Sequence, residues 1–431
     1  MNAPSLRERV IQWRRDFHAH PELGYREYRT AARVCDALVA TPGCSVRTGR
    51  EVMDPASLMN PPTAAEFAAA RDEALAAGAN PAWVEKMGDG LTGVVAEFSF
   101  PRPGPTLAFR VDMDALPILE SADAGHAPVR EGFASRRAGR MHACGHDGHT
   151  AMGLGLAALA AERSAGWGGR LKIIFQPAEE GCCGAKAMVA AGVFADVDRL
   201  VCGHLGTGAT RSGLIACGTE AFLATTKFDV EFHGRAAHAG MAPHEGRNAL
   251  LAAATFALQL HALPRHAGGE SRANAGTLTA GSGRNVVADR ALVEAEVRGT
   301  TAAVNRFMTD EAMRTARAAA EMFGVTCEIR IVGEAGSAPC DAELKAIVRA
   351  AAESLSATRE VVDTLPLGGS EDATLMMQAV QARGGQATYL QIGTELPAGH
   401  HHPRFDINET ALWHGVELYS AIAARVLGGG R

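Results

Sequence analysis

The run LKIIFQPAEEG, from Leu171 to Gly181, decides the fold class. Four of its first five residues are apolar and do not alternate with polar ones, so we expect a strand that is buried on both faces. Such strands belong to parallel sheets that helices cover on both sides. The polar end of the run, with Glu179 and Glu180, would then lie at the carboxyl end of the strand, where α/β sheets bind their ligands.

Strands and helices alternate on both sides of this run. Short apolar runs at 93–100, 106–113 and 199–205 predict further strands, and the small-residue stretch TAMGLGLAALAAE, from Thr150, predicts a helix. The chain after about Asp341 returns to the same style. This alternation predicts an α/β domain with a mostly parallel central sheet.

A different pattern occupies the middle of the chain. In TTKFDVEFHG the apolar residues alternate with polar ones, which is typical of a strand with one wet face. The following segments predict the order β-α-β-β-α-β, a ferredoxin-like unit with an antiparallel sheet and helices on one face. We therefore expect an inserted α+β domain at residues 223–334, within a catalytic domain formed by residues 1–222 and 335–431.

Composition argues against several classes of function. The formal net charge of the 431 residues is −6 and no long basic run is present, which argues against nucleic acid as a partner. No apolar run is long enough to span a membrane, and the N-terminal residues lack the apolar core of a signal peptide. The nine cysteines are scattered and odd in number, as expected of reduced thiols. We expect a cytoplasmic protein without membrane contact.

Unusual polar residues are concentrated in five short motifs, most of them just after a predicted strand. The motifs are RVDMDAL (110–116), HACGHDGHT (142–150), FQPAEEG (175–181), CGHLG (202–206) and GHHHPRFD (399–406). One thiolate, one carboxylate and three imidazoles from these motifs could bind metal: Cys144, His146, Glu180, His204 and His401. That set offers more donors than a single tetrahedral ion needs.

The donor set suits two divalent cations roughly 3.5–4 Å apart, bridged by the thiolate or a water. A second carboxylate beside it could act as the general base on an attacking water, which amide hydrolysis requires. Asp112 and Asp114 could orient a ligand by hydrogen bonding. The sequence therefore favours a two-metal hydrolase.

Each motif alone also has an ordinary interpretation. Cys144 taken by itself is more typical of a small buried residue, and a Glu pair is normally a solvated helix start. A cysteine nucleophile with a histidine base is the rival interpretation of Cys144. It would leave Glu179, Glu180 and His401 without a role. Cys182 and Cys183 are expected to be inert buried thiols; the alternative is that one lies close enough to the metals to make the enzyme sensitive to oxidants.

The motifs resemble a family of two-metal metallopeptidases that includes aminoacylases, carboxypeptidases and indole-acetyl-amino-acid hydrolases. The shared text includes MHACGHDGHTA, FQPAEEG, GRAAHAG, AGSGRNVV and GSEDATLM. The likeness runs from Trp13 nearly to the C-terminus. It implies a catalytic α/β domain with an inserted lid that also forms a dimer.

The resemblance implies a role for each residue of the site. The five donors named above correspond to the metal ligands, and Glu179 corresponds to the general base. Among three consecutive histidines it selects His401, because the family's ligand lies two residues before a Pro-x-Phe element. We place Asp114 with Glu179 in the predicted catalytic set.

Residues of the lid are implied as well. His238 resembles a residue that reaches into the site of a partner chain and helps to hold the oxyanion. Asn285 and Arg298 resemble groups that bind the substrate's free carboxylate; otherwise Arg298 would be a strand residue paired with Glu294 or Glu296. Glu371 and Asp372 of the GSED motif resemble residues that support the metal ligands; otherwise they form a helix N-terminus.

These implications give an expected function. The resemblance implies a metal-dependent amidohydrolase, holding two Mn²⁺ or Zn²⁺ ions, that cleaves N-acyl amino acids. The best single candidate substrate is p-aminobenzoyl-glutamate, a folate breakdown product, cleaved to p-aminobenzoate and glutamate. Other N-acyl or indole-acetyl amino acids remain alternatives. The expected partner is a second copy of the chain or a related but different chain of a hetero-oligomer, and a supporting subunit without activity of its own is the alternative of another class.

Overall fold

The structure, a computed structural model, describes residues 4–428 and divides into two compact units. Unit 1 contains the described residues up to Glu220, Ala338–Gly368, and those from Asp372 onward. Unit 2 contains Ala221–Ser337 together with Gly369–Glu371. The chain therefore leaves unit 1 near residue 220 and returns to it near residue 338.

Unit 1 is built on one eight-stranded sheet. Its strands are β1 (Ser45–Thr48), β2 (Val94–Ser99), β3 (Arg102–Asp112), β4 (Gly168–Gln176), β5 (Arg199–Leu205), β6 (Leu214–Glu220), β11 (Glu360–Pro366) and β12 (Gln386–Ile392). The spatial order is β1-β2-β4-β3-β5-β12-β6-β11.

The centre of this sheet is parallel. Strands β4, β3, β5 and β12 are neighbours and pair in parallel, whereas β1 and β2 join one side as antiparallel strands. Residues 171–176 of β4 are all buried, as expected of a strand covered on both faces. The predicted mostly parallel α/β sheet is confirmed, and the carboxyl ends of its four central strands meet at one edge.

Ten helices of unit 1 accompany this sheet: α1 (Leu6–Ala19), α2 (Tyr28–Val39), α3 (Ala64–Ala76), α4 (Pro81–Met87), α5 (Ala127–Arg130), α6 (His146–Arg163), α7 (Gly184–Ala190), α10 (Ala342–Glu353), α11 (Ala373–Gln381) and α12 (Thr410–Leu427). Helix α6 packs closely because a Cβ on Gly153 would lie 2.8 Å from Phe175, and one on Gly155 would lie 2.6 Å from Val416. None of the helices within residues 4–428 combines the length and the hydropathy needed to span a membrane.

Unit 2 has the ferredoxin-like order that the sequence predicts. Its elements are β7 (Ala224–His233), α8 (Ala249–His261), β8 (Ser271–Ala280), β9 (Arg290–Gly299), α9 (Ala302–Met322) and β10 (Thr326–Ala335). The four strands form an antiparallel sheet in the order β10-β7-β9-β8. Phe228, Val230 and Phe232 of β7 are fully buried in one core with apolar residues of both helices, whereas their polar neighbours are partly exposed.

Candidate metal centre

The predicted ligands lie at the edge where the parallel strands end. Asp112 is the last residue of β3, Glu179 follows β4 by three residues, and His204 lies near the end of β5. His400 belongs to the loop after β12, and α6 begins at His146. Because these strands are parallel neighbours, the fold itself brings the five motifs together.

A glycine lies between the predicted ligands Cys144 and His146 and lets both face the same cluster. Gly145 has φ +91°, in the left-handed region that favours glycine, and it immediately precedes α6. The chain turns there, so that the thiol of Cys144 and the imidazole of His146 face the same cluster.

Two groups of possible ligands share Cys144. One comprises Cys144, His146 and Glu180, and the other comprises Cys144, His204 and His400. The ligand atoms of each group lie within 4.8 Å of one another. In the second group the Cys144 Sγ lies 3.5 Å from both His204 Nε2 and His400 Nδ1. A thiolate common to two groups is the arrangement expected of two cations that share a bridging ligand.

Hydrogen bonds leave one nitrogen of each imidazole available to a cation. His204 donates from Nδ1 to the carbonyl of Leu205 (2.8 Å), and His400 donates from Nε2 to the carbonyl of Gly206 (3.2 Å). His146 holds Asp114 through Nδ1 (3.2 Å). Each ring is thereby fixed in orientation with its other nitrogen in the cluster, as in other metal sites whose histidines donate to a carbonyl or carboxylate.

Two buried atoms test whether a cation fits. His146 Nε2 and Glu180 Oε1 lie 3.9 Å apart, and neither has a hydrogen-bond partner among residues 4–428. Buried polar atoms are rarely left in this state without a ligand, water or ion. A divalent cation would satisfy both atoms, so the residues present fit the implied metals.

The protonation states of the imidazoles also suit a cation site. Burial lowers the pKa of His204 well below its usual value, and burial lowers that of His400 to about 4, so both rings are neutral and can bind a cation. Burial also lowers the pKa of His146, but the carboxylates of Asp112 and Asp114 outweigh it and raise this pKa well above its usual value. In the metal-free protein the raised pKa keeps a second proton on His146. The positive charge of a bound cation would interact with the same two carboxylates in place of that proton.

The thiol of Cys144 behaves differently. Burial and then the carboxylate of Glu180 raise the pKa of Cys144 well above its usual value. In the metal-free protein this thiol therefore keeps its proton, and binding of a cation must release it.

The histidine run contributes two residues to the site. His401 lies with Nε2 3.2 Å from Glu180 Oε2, and its backbone N–H donates to the carbonyl of Ala143 (2.8 Å). His400, the residue of the histidine run just before the selected His401, faces Cys144. His401 has φ +62°, a conformation that is uncommon for residues other than glycine, and both side chains reach the cluster at this local turn. No spacing rule indicates such a turn.

Two further residues of the site were missed by the sequence analysis. His149 is buried beside the cluster, but its Nδ1 contacts Asp112 (2.6 Å) and its Nε2 accepts the N–H of Leu205 (3.0 Å), so no nitrogen is left for a cation. Arg110 is fully buried and donates to the second oxygen of Asp112 (2.7 Å). Asp112 thus orients His149 and Arg110, whereas Asp114 orients His146.

The acidic residues around the ligands are buried. Glu179 has its Oε2 3.9 Å from His146 Nε2. Asp114 also accepts the backbone N–H of Glu180 (3.0 Å), which fixes the loop that carries the Glu pair. Asp372 accepts from Gln176 (2.7 Å). Glu371 belongs to unit 2 and is 3% exposed. Cys182 and Cys183 are buried, and none of the nine cysteines, all of which are described, forms a disulfide.

The predicted lid residues lie in unit 2. His238 is exposed, and its Nδ1 accepts the N–H groups of Gly240 and Met241, so that Nε2 is the nitrogen left to donate. The segments of His238 and Asn285 are hydrogen-bonded side by side through Ala239 (3.0 Å).

The structure pairs Arg298 with Glu296. The guanidinium donates to both carboxylate oxygens, at 2.9 and 3.0 Å, as in the ordinary interpretation of this strand residue. Its Nη1 lies 3.4 Å from the hydroxyl of Ser370.

Comparisons with known proteins bear on the whole chain. The sequence profile of the peptidase family M20/M25/M40 matches residues 108–425. The chain is 46% identical over 422 residues to a subunit of the p-aminobenzoyl-glutamate hydrolase of Escherichia coli, covering 97% of this chain and 96% of that protein. It is also 46% identical to "Indole-3-acetyl-aspartic acid hydrolase" of Enterobacter agglomerans, covering 96% and 95% of the two chains.

Solved structures give the same likeness. The crystal structure of an aminobenzoyl-glutamate utilization protein from Klebsiella pneumoniae superimposes with a TM-score of 0.85 at 41% identity, covering 99% of this chain and 98% of that one. A dinuclear metal-binding peptidase of the M20 family from Bacillus subtilis has a TM-score of 0.68 at 25% identity, covering 98% of each chain.

Proposed function

The chain belongs to the peptidase family M20/M25/M40, and on that premise we propose that it hydrolyses the amide bond of an N-acyl acidic amino acid, with p-aminobenzoyl-glutamate as the best single substrate. The family predicted from the motifs is confirmed, and with it a metal-dependent amidohydrolase rather than a cysteine hydrolase. The names of two relatives, both 46% identical, support an acidic leaving group, because one acts on a glutamate conjugate and the other on an aspartate conjugate.

One observation carries the proposal: two groups of ligands share Cys144, and the carboxylate of Glu179 lies beside them. Cys144, His146, Glu180, His204 and His401 would hold the two cations, with His400 as a further donor beside Cys144. When bound, two divalent cations acidify a water and polarise the scissile carbonyl.

The chain's own residues would supply the proton transfers. Glu179 would take the proton of the attacking water and pass it to the leaving nitrogen. Asp114 would keep the ring of His146 in place through its hydrogen bond to Nδ1. His238 of a partner chain would donate from Nε2 to the oxyanion.

Asn285 and Arg298 would bind the free α-carboxylate of the substrate. Because Glu296 already occupies two nitrogens of Arg298, a substrate carboxylate must either displace Glu296 or bind through Nη1. Arg298→Lys would keep the charge but lose the planar fork, so we expect a raised KM with little change in kcat.

The proposed cations are Mn²⁺, with Zn²⁺ as the alternative. A thiolate ligand favours zinc, whereas imidazole and carboxylate ligands tolerate manganese. Elemental analysis of the purified protein would distinguish them.

Glutamate release from p-aminobenzoyl-glutamate tests the function directly. We expect release by the purified protein, loss of release after chelation, and recovery when Mn²⁺ or Zn²⁺ is added back. Persistent activity in the chelated, metal-free protein would contradict the mechanism.

A substrate panel tests the second candidate, hydrolysis of indole-3-acetyl-aspartate, which the equally similar Enterobacter relative favours. The panel should compare aminobenzoyl and indole-acetyl conjugates of glutamate and aspartate by kcat/KM. Failure on every member would instead favour a supporting role within a hetero-oligomer.

We propose that the chain forms dimers through unit 2, with a second copy or a related partner chain. Strand β8 lies at the edge of its sheet, and Leu258 of α8 and Leu278 of β8 are 72% and 41% exposed. An open edge strand beside exposed leucines can pair with the same surface of another copy. Leu258→Glu should shift the purified protein to monomer in sedimentation analysis, and an unchanged dimer would exclude this surface.

A further inference from the structure

Helix α1 carries a fully buried arginine that binds three carboxylates. Arg14 is 0% exposed, and each nitrogen of its guanidinium contacts a different acid. Nε donates to Asp147 (2.9 Å), Nη2 donates to Asp406 (2.6 Å) and Nη1 donates to Glu409 (3.2 Å). This fork geometry is one that arginine provides and lysine does not.

The three carboxylates lie on the two segments that carry metal ligands. Asp147 is in the first turn of α6, directly after the ligand His146. Asp406 and Glu409 lie in the same connection between β12 and α12 as His400 and His401. One guanidinium therefore joins two ligand segments that are about 250 positions apart in the sequence, as the positions of His146 and His400 show.

A second residue of α1 supports the same point. His18 contacts the same oxygen of Asp147 that Arg14 binds, at 2.8 Å through Nδ1, and its Nε2 lies 3.0 Å from Glu120. Asp147 is thus held from two directions by α1.

Stability alone is a poor explanation for such a cluster. Removing a guanidinium and three carboxylates from water is costly, and apolar residues of similar volume often replace buried ion pairs without loss of stability. Charged groups held behind metal ligands can instead fix the geometry of those ligands.

We propose that Arg14 is a positioning residue that sets the separation of the Cys144–His146 and His400–His401 segments. By doing so it helps the protein to retain one of the two cations. The cation affected is the one that depends on both segments, through Cys144 and His400. The group of Cys144, His146 and Glu180 contains no histidine of the run itself, and His401 only contacts its Glu180, so the other cation should be affected less. The inference rests on the two-cation site proposed above.

Metal titration of the metal-free protein tests this. In calorimetry with Mn²⁺, we expect Arg14→Met to weaken one of two binding steps by about 10–100-fold, the usual effect of losing a group that supports metal ligands, and to change the other step less. Asp406→Asn should weaken the same binding step, while Arg14 stays buried with its two other carboxylates. This variant tests the proposal if Arg14→Met does not fold. Arg14→Lys should recover only part of the affinity.

Arg29→Met is the matched control. Arg29 is also buried and binds a carboxylate, Asp16, at 2.8 and 3.1 Å, but neither residue belongs to a ligand segment. It should lower the melting temperature and leave both binding steps unchanged. Wild-type affinities in Arg14→Met and Asp406→Asn, or an equal loss in Arg29→Met, would overturn the proposal. Wild-type protein that binds fewer than two cations would contradict the two-cation site itself.

Discussion

The two units differ in the polar side chains that they bury beside their apolar cores. Between residues 221 and 337, all of which the structure describes, the buried polar residues are Thr225, Thr226 and Asn305, and the core is otherwise apolar. Glu371, which also belongs to unit 2, adds one buried carboxyl side chain. Unit 1 buries whole charged groups, including Arg14, Arg110, Asp112, Asp147 and His146. Buried charges are costly unless they are paired or bind metals. The charged groups of unit 1 are therefore better explained by its site than by stability.

This contrast separates function from stability within one chain. In unit 1 the proposed functional residues are buried or half-buried, except for His401, which is exposed. In unit 2 His238 and Asn285 are exposed, and the buried core of this unit is mainly apolar. Substitutions can therefore test whether the two kinds of residue act as the contrast predicts.

Glu179→Gln should have the largest effect. The amide keeps the size of the side chain but cannot accept a proton, so kcat should fall by about 10³-fold, within the range for loss of a general base. Both cations should remain bound, as elemental analysis can show. Glu180→Gln is the contrasting variant, because it alters a ligand and should release a cation. Activity within tenfold of wild type in Glu179→Gln would exclude the proposed base.

Phe256→Ala should reduce stability rather than catalysis. Phe256 is fully buried in the core of unit 2, with ring centroids 6.1 Å from Phe232 and 6.5 Å from Phe228. Loss of such a ring costs about 3–5 kcal/mol of unfolding free energy, measured by urea denaturation. Gln259→Ala, at an exposed position of the same helix, is the control and should change it by less than about 0.5 kcal/mol. A similarly small effect of Phe256→Ala would mean that this core does not support unit 2.

His238→Ala should lower kcat without changing stability. An exposed ring contributes little to folding, whereas loss of one oxyanion donor costs about 10²–10³-fold in kcat. His244→Ala, exposed in the same region, should leave both kcat and melting temperature unchanged.

Mixing variants tests whether His238 acts across a dimer. In exchanged dimers of His238→Ala with Glu179→Gln, half the dimers would be mixed and each would contain one intact site. Activity should therefore recover to roughly a quarter of wild type. Without recovery, the histidine acts within its own chain or the chains do not exchange, and labelled chains would show which.

The fold was predictable because its signals are local. The continuous apolar run in β4 and the alternation of Phe228, Val230 and Phe232 in β7 each reflect which faces of a strand are buried, and the structure confirms both. The return of Gly369–Glu371 to unit 2 has no such signal, since three residues carry no periodicity.

The site was predictable only where its chemistry is unusual. Cys144 and Glu180 stand out by residue type and spacing. Arg14 does not, because WRRDF is typical of an exposed helix and its partners lie 133 to 395 positions away. The sequence did not decide the partner of Arg298. A guanidinium can bind the carboxylate of a substrate or that of a strand neighbour such as Glu296.

His414→Gln should give the smallest effect, a change in how stability depends on pH. His414 of α12 is buried away from the ligands and contacts Thr358 (3.0 Å), and burial lowers its pKa below the usual value of 6.5. Below pH 6.5 the unfolded chain binds a proton that the folded chain refuses, so this histidine's contribution is present above pH 6.5 and is lost as the pH falls. The variant should therefore show a shallower loss of unfolding free energy between pH 7 and 5, by at most about 1.4 kcal/mol per pH unit for one proton.

His266→Gln in unit 2 is the control, because no histidine between residues 221 and 337 is buried. Equal slopes in wild type and His414→Gln would show that this buried imidazole does not contribute to the acid sensitivity of unit 1.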